Sequence, residues 1–178
     1  MSSLSDGAFD MTFASVGNFY DYRAKTKPSD KQIIESIGAI DYRHVILDKG
    51  KSTVLFESPG VLLDLGGIAK GYAVDEGIKV LQAMGIQHAR LSAGGDMYLL
   101  GDKRSKPWLV AVRDPRDDSK NVVVLPLADV AMSTSGDYER FFIDDSGERV
   151  HHIISPKSGK SAKGLASVSV LGPDATTT

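Results

Sequence analysis

Residues 61–85 constrain the fold more than any other stretch of the chain. A short apolar run, Val61, Leu62 and Leu63, passes through Asp64 and Leu65 into Gly66-Gly67, and an amphipathic segment follows. Val74, Ile78 and Leu81 recur at i, i+4 and i+7, with Val80 and Met84 beside them, and Gly85 closes the pattern as a C-capping glycine would. The spacing predicts strand, glycine turn and helix, the helix covering residues 68–84. Two adjacent glycines let a ligand approach the backbone closely. A helix N-terminus adds free N–H groups and a positive dipole end, and Lys70 a full positive charge. Such a turn suits a phosphate or pyrophosphate, and Asp64 is placed to accept a hydrogen bond or help hold a cation. The same residues would equally serve as a packing turn with a solvated lysine. A Walker A loop does not fit, because the order is Lys70-Gly71, and Gly66, Gly67 and Gly71 lack the dinucleotide spacing. The local chemistry says anion and stops there.

The remaining elements are short. Residues 7–22 mix aromatic and small side chains without a period and read as loop with a short strand. Ser29 or Asp30 can cap a helix over residues 31–40, with Ile33, Ile34 and Ile37 as its inner stripe. Residues 44–48 and 52–57 flank Lys49-Gly50-Lys51, a hairpin signal. Strands are expected at 88–91, 97–100, 108–113, 121–125, 129–132, 139–143, 150–154 and 167–171. Polar turns and Pro107, Pro115, Pro126 and Pro156 punctuate them. The expectation is an α+β fold, a mainly antiparallel sheet with two main helices, residues 1–178 forming a single domain.

Bulk properties remove whole classes of function. A chain of 178 residues that is 42% hydrophobic can bury one substantial core. A net charge of −2 and a pI near 6.1 argue against a nucleic-acid surface. No apolar run approaches the roughly 18 residues that a spanning helix needs. Met1-Ser2-Ser3-Leu4 carries no signal-peptide pattern. The absence of cysteine excludes disulfides, thiolate nucleophiles and Cys-based zinc sites, and suits an oxidising compartment.

Four further segments hold polar or glycine-rich groups that could do chemistry. Ala8-Phe9-Asp10 pairs an aromatic edge with a carboxylate; it could anchor a turn, or stack on and hydrogen-bond to a nucleoside. Gly94-Gly95-Asp96 is ordinary turn chemistry between two strands. Residues 133–138, Ser-Thr-Ser-Gly-Asp-Tyr, could form a polar bulge before the strand that carries Phe141 and Phe142, and read as structure around the site that would touch an acceptor peptide. No Gly-x-Ser-x-Gly elbow surrounds Ser133 or Ser135, which argues against a hydrolase nucleophile. His151 and His152, adjacent on a strand, would face opposite sides, one buried and one free for a site.

Taken in order, Gly7-Ala8-Phe9-Asp10-Met11-Thr12, the 64–75 stretch, Leu91-Ser92-Ala93-Gly94-Gly95-Asp96, residues 133–140, residues 151–159 and Ser167-Val168-Ser169-Val170-Leu171 closely resemble the FAD:protein FMN transferases, the ApbE-like flavin transferases once described as thiamine-biosynthesis lipoproteins. The resemblance runs from about Gly7 to the last residue. It implies transfer of FMN from FAD to a threonine or serine hydroxyl of an acceptor flavoprotein, with release of AMP and with Mg²⁺ as cofactor. By the same resemblance, Ala8, Phe9, Asp10, Asp64, Lys70, Gly94, Gly95 and Ile153 contact FAD. The Gly67 carbonyl is a magnesium ligand, and His152 takes the hydroxyl proton. Family members carry Asp-Pro where this chain has Ser155-Pro156, which weakens a carboxylate role there. They also carry a leader and a further N-terminal region, so the chain reads as a central fragment of a periplasmic or membrane-facing lipoprotein. Its membrane contact would come only through that lipid anchor. The family's magnesium-binding Asp-Ala-x-x-Thr motif is expected beyond residue 178, leaving the last strand with a loose tail and the fragment inactive by itself. A non-catalytic FAD-binding module and a magnesium-dependent FAD pyrophosphatase are the alternatives.

Overall fold

Three helices and ten strands, most of them short, order the chain. In order they are α1 (Ala14–Gly17), α2 (Asp30–Ser36), β1 (Val45–Asp48), β2 (Thr53–Phe56), α3 (Ala69–Ala83), β3 (Ala89–Ala93), β4 (Asp96–Leu100), β5 (Trp108–Arg113), β6 (Asn121–Leu127), β7 (Val130–Gly136), β8 (Phe141–Ile143), β9 (Arg149–His151) and β10 (Ser167–Gly172). The computed structural model describes residues 1–178. They gather into two compact units, each built from two stretches of chain: 1–65 with 137–164, and 66–136 with 165–178. Every strand pairing is antiparallel, and with α2 and α3 as main helices the fold is α+β. No helix is long and apolar enough to cross a membrane.

In the second unit, strand alternation explains the packing. The sheet runs β10-β7-β4-β3. On one face Tyr98, Leu100 and Ala131 meet Val74, Ile78 and Leu81 of α3, with Ala175. On the other, Met97, Leu99 and Met132 meet Val110, Val112, Leu125 and Leu127 of the β5–β6 hairpin. Successive residues of one strand therefore serve opposite layers. The α3 pattern holds for Val74, Ile78 and Leu81, whereas Val80 and Met84 lie exposed on the other side. Gly85, with φ +79°, ends the helix. Its N–H reaches the Gln82 carbonyl and that of Ile86 reaches Leu81, the Schellman pairing.

The first unit departs from the sequence reading at several points. Residues 7–22 hold no strand; Met11–Phe13 is a 3₁₀ turn that leads into α1. Its start is set by Asp10, whose side chain accepts from the Thr12 N–H. The run 61–65 forms no strand either. Leu62 N–H donates to Ser15 Oγ and Asp64 N–H to the Met11 carbonyl, so these residues pair with helical turns instead of a neighbouring strand. Helix α2 begins as expected, with a capping box between Ser29 and Gln32. Its inner face is Ile33 and Ile37, packed around Gly159, while Ile34 points to solvent. One residue step along the helix rotates Ile34 by about 100° from Ile33, too far for one narrow stripe.

Candidate functional site

Beside the glycine turn before α3, the second unit concentrates polar groups at one end of its helix-facing sheet layer. Residues 66–68 form the turn, and Ile68 caps α3 without a side-chain hydrogen bond. Strands β3 and β4 are joined by Gly94 and Gly95, both at positive φ (+56° and +103°), as a two-residue hairpin turn between paired Ala93 and Asp96 requires. Lys70 lies across this turn. A Cβ on Gly94 would come within 3.0 Å of its Cδ. Its Nζ lies 3.4 Å from the Gly94 carbonyl and 3.5 Å from the Asp96 carboxylate. Gly94 is thus required twice, for its backbone and for the lysine stem.

Asp96 shares the parity of Tyr98 and Leu100, and Ser133 that of Ala131, so both face α3. Ser133 Oγ donates to Asp96 at 2.7 Å, and Thr178 Oγ1 lies 3.3 Å from Ser133 Oγ. Residues 133–136 belong to β7, an inner strand of the sheet, and form no bulge. Ser133 is buried because Asp96 and Thr178 satisfy its hydroxyl.

The end of the chain is also tied down. Asp174-Ala175-Thr176-Thr177-Thr178 itself spells Asp-Ala-x-x-Thr, so the expectation that this pattern lies beyond residue 178 is corrected. Ala175 is 3% exposed, and Asp75 of α3 accepts from the backbone N–H groups of Ala175 and Thr176. The expected loose tail is therefore absent. Asp75 and Asp96 are functional candidates that sequence reasoning passed over. Each sits inside a quoted motif, but only the fold reveals their partners. Burial, then the carboxylates of Asp129, Asp75 and Asp174, push the Tyr98 phenol up, which marks the negative charge on this layer.

Could this region hold magnesium? No three His, Cys, Asp or Glu side chains converge as a metal group anywhere in the chain. The donors that remain are hard oxygens. Asp174 spends Oδ1 on the Thr177 N–H and hydroxyl and keeps Oδ2, and the Gly67 carbonyl and Thr178 hydroxyl retain lone pairs. Such a sparse oxygen set fits magnesium, which keeps waters and substrate phosphates in its shell.

The first unit holds the other sequence-predicted residues. Asp10 is 6% exposed and accepts from the Thr12 N–H (2.8 Å), the Thr12 hydroxyl (2.6 Å) and the Tyr42 N–H (2.8 Å). One lone pair of Oδ2 remains for a ligand. Phe9 N–H is held by Ser5 Oγ, and the Asp64 N–H bond to Met11 brings Asp64 beside the residue that follows Asp10. Ala8 is exposed. Asp10, Asp41, Tyr42, Arg43 and Lys157 line a shallow polar cleft. Arg43 chelates Asp41 and holds its carboxyl down at about 2. His151 ends β9, buried, with Nε2 2.8 Å from the Ala162 carbonyl. His152 lies just past the strand, half-buried, its Nδ1 3.4 Å from the Arg140 carbonyl. Ile153 follows, its carbonyl accepting from Ala162 N–H.

The profile of the ApbE family matches residues 1–178. The chain belongs to the ApbE family. The FAD:protein FMN transferase of Rhodobacter capsulatus is 38% identical over 175 residues, which cover 96% of this chain and 33% of that protein. That of Haemophilus influenzae is 31% identical, covering 99% of this chain and 54% of its own length. Among solved structures, the ApbE protein of Thermotoga maritima aligns with a TM-score of 0.91 at 38% identity, covering 99% of this chain and 58% of that one. The flavin transferase ApbE of Vibrio cholerae aligns at 0.84 and 30%, covering 99% and 57%. The chain spans about half the length of most curated relatives it matches, and a third of the Rhodobacter protein.

Proposed function

We propose that the protein transfers FMN from FAD to a threonine or serine hydroxyl of an acceptor flavoprotein, releasing AMP, with Mg²⁺ as cofactor. The observation that carries this reading is Lys70, bent over the Gly94-Gly95 turn beside the start of α3, in a chain of the ApbE family. In the reaction the acceptor oxygen forms a bond to the phosphorus of the FMN half, the pyrophosphate bridge to that phosphorus breaks, and AMP leaves with the bridging oxygen. Phosphoryl transfer of this kind depends on positioning and on neutralising charge. Lys70 and the first N–H groups of α3 supply positive charge to the pyrophosphate. The Gly67 carbonyl, Asp174 and Thr178 would hold magnesium, which adds further neutralisation when bound. His152 takes the hydroxyl proton, because a neutral imidazole carries one basic ring nitrogen. Phe9 offers its ring and Ile153 an apolar edge to the flavin or adenine, and Asp10 its one remaining lone pair. By family resemblance the protein works outside the cytoplasm, in the periplasm or at the outer face of the membrane, where a lipoprotein anchor would hold it.

The test is to incubate the full-length protein with FAD, Mg²⁺ and an acceptor that carries a flavinylation site, and then to weigh the acceptor. A gain of one FMN supports the transferase. FAD split to FMN and AMP with the acceptor unchanged would make it a pyrophosphatase. FAD bound but intact would make it a binding module.

A further inference from the structure

Asp75 has no part in the chemistry above, yet it commands an unusual share of hydrogen bonds. It projects from the second turn of α3 and takes three donors from the last residues of the chain: the Ala175 N–H at 2.8 Å, the Thr176 N–H at 2.9 Å and the Thr176 hydroxyl. Gly71 lies one turn earlier on the same helix face. A methyl group there would stand 2.0 Å from the Ala175 carbonyl oxygen, so the segment lies against bare helix backbone. Ala175 closes the core cluster of Val74, Ile78, Leu100 and Ala131. From the far end of the segment the contacts continue. Thr178 meets Ser133, Ser133 donates to Asp96, and Asp96 faces Lys70.

We propose that Asp75 is a positioning residue whose carboxylate clips residues 174–178 to α3. The clip sets the oxygens of Asp174 and Thr178 and, through Ser133 and Asp96, the Lys70 ammonium. This inference rests on reading that layer as the magnesium- and phosphate-facing side of the protein. A carboxylate is the group the geometry demands. All three partners are donors, and only an ionised acid offers lone pairs on both oxygens with no N–H of its own. An asparagine would turn an amide NH₂ toward one of those donors. Gly71 has the complementary role, since any side chain there would lift the segment away from the helix.

The experiment uses the full-length protein and three variants, Asp75→Asn, Gly71→Ala and Thr176→Val. Amide exchange is read first, without ligand. In Asp75→Asn the amides of Ala175 and Thr176 should exchange at least about tenfold faster, while those of β4 and β7 keep their protection. FAD affinity is then measured with saturating Mg²⁺ and with none. Asp75→Asn and Gly71→Ala should weaken binding by about tenfold or more with Mg²⁺, the scale for loss of an outer-shell partner, and by much less without it. Thr176→Val, which removes one donor of three, should follow in the same direction. An acid that only stabilises the fold would lower the melting temperature and leave the ratio of the two affinities at its wild-type value. That ratio unchanged, or unchanged exchange at residues 175 and 176, overturns the proposal. Should Asp75→Asn not fold, Gly71→Ala and Thr176→Val decide by the same two readouts. Wild-type protein that binds no FAD would sink the functional reading and the positioning role with it. Amide exchange at residues 175 and 176 would then still decide, independently of FAD, whether Asp75 holds the segment.

Discussion

Asp10 and Asp96 are both acids at the edge of a glycine-containing motif, one in each unit, and they are used in opposite ways. Asp10 is buried and committed to three donors, two of them backbone N–H groups that cannot turn away. Asp96 holds one serine hydroxyl at 2.7 Å and a lysine at 3.5 Å whose side chain is 47% exposed. The first arrangement is scaffold. The second is a loose, solvent-screened pair worth at most about 1 kcal/mol, so Lys70 can be diverted to a phosphate at little cost. What a carboxylate can do is therefore decided by whether its partners are anchored in the backbone or hang on flexible stems.

The largest effect should fall on neither acid. His152→Ala is expected to slow FMN transfer by about a hundredfold or more while FAD affinity holds, the usual scale for loss of a general base. Single-turnover flavinylation checks it. A comparable slowing in Asp96→Asn would move the decisive chemistry to the second unit. Lys70→Ala should weaken FAD by about ten- to a hundredfold, the worth of a charge-assisted hydrogen bond of roughly 1.5–3 kcal/mol. Fluorescence titration giving identical affinities would remove Lys70 from the site.

Asp10→Ala sharpens the contrast directly. It strands buried donors at roughly 1–3 kcal/mol each, so denaturant unfolding should show a loss of about 3 kcal/mol, against under about 1 kcal/mol for Asp96→Asn. FAD affinity in folded Asp10→Ala should fall less than in Lys70→Ala; an equal fall would make Asp10 a ligand first and a scaffold second. The smallest effect concerns pH. Asp41, held at about 2 by Arg43 against its ordinary 3.8, contributes stability that is present above 3.8 and lost as pH falls through about 2. The stability difference between wild type and Arg43→Ala should therefore shrink across that window. A difference that stays constant down to about pH 2 would show that the pair, though short, contributes nothing to folding.

Much of the fold was legible because it is local. The i, i+4, i+7 pattern of Val74, Ile78 and Leu81 gave α3 almost to the residue, Gly85 its end, Ser29 the start of α2, and Lys49-Gly50-Lys51 the β1–β2 hairpin. Two of the misses are of one kind. The run 61–65 has the apolar content of a strand, and residues 133–136 the polarity of a loop, yet each took the role its neighbours offered. The 61–65 run found hydrogen-bond partners in helical turns, and β7 found a place between β4 and β10.

By itself the sequence determined the periodic elements, the glycine turns and the family, since these depend on spacing along the chain and on backbone freedom at single residues. Only the tertiary structure decided that Asp10 holds Thr12 and Tyr42, that Asp96 faces Lys70, and that Asp75 clips the end of the chain to α3. Those pairings join residues up to 101 positions apart. A side chain's type says what bonds it can make, and its distant neighbours choose which of them it does.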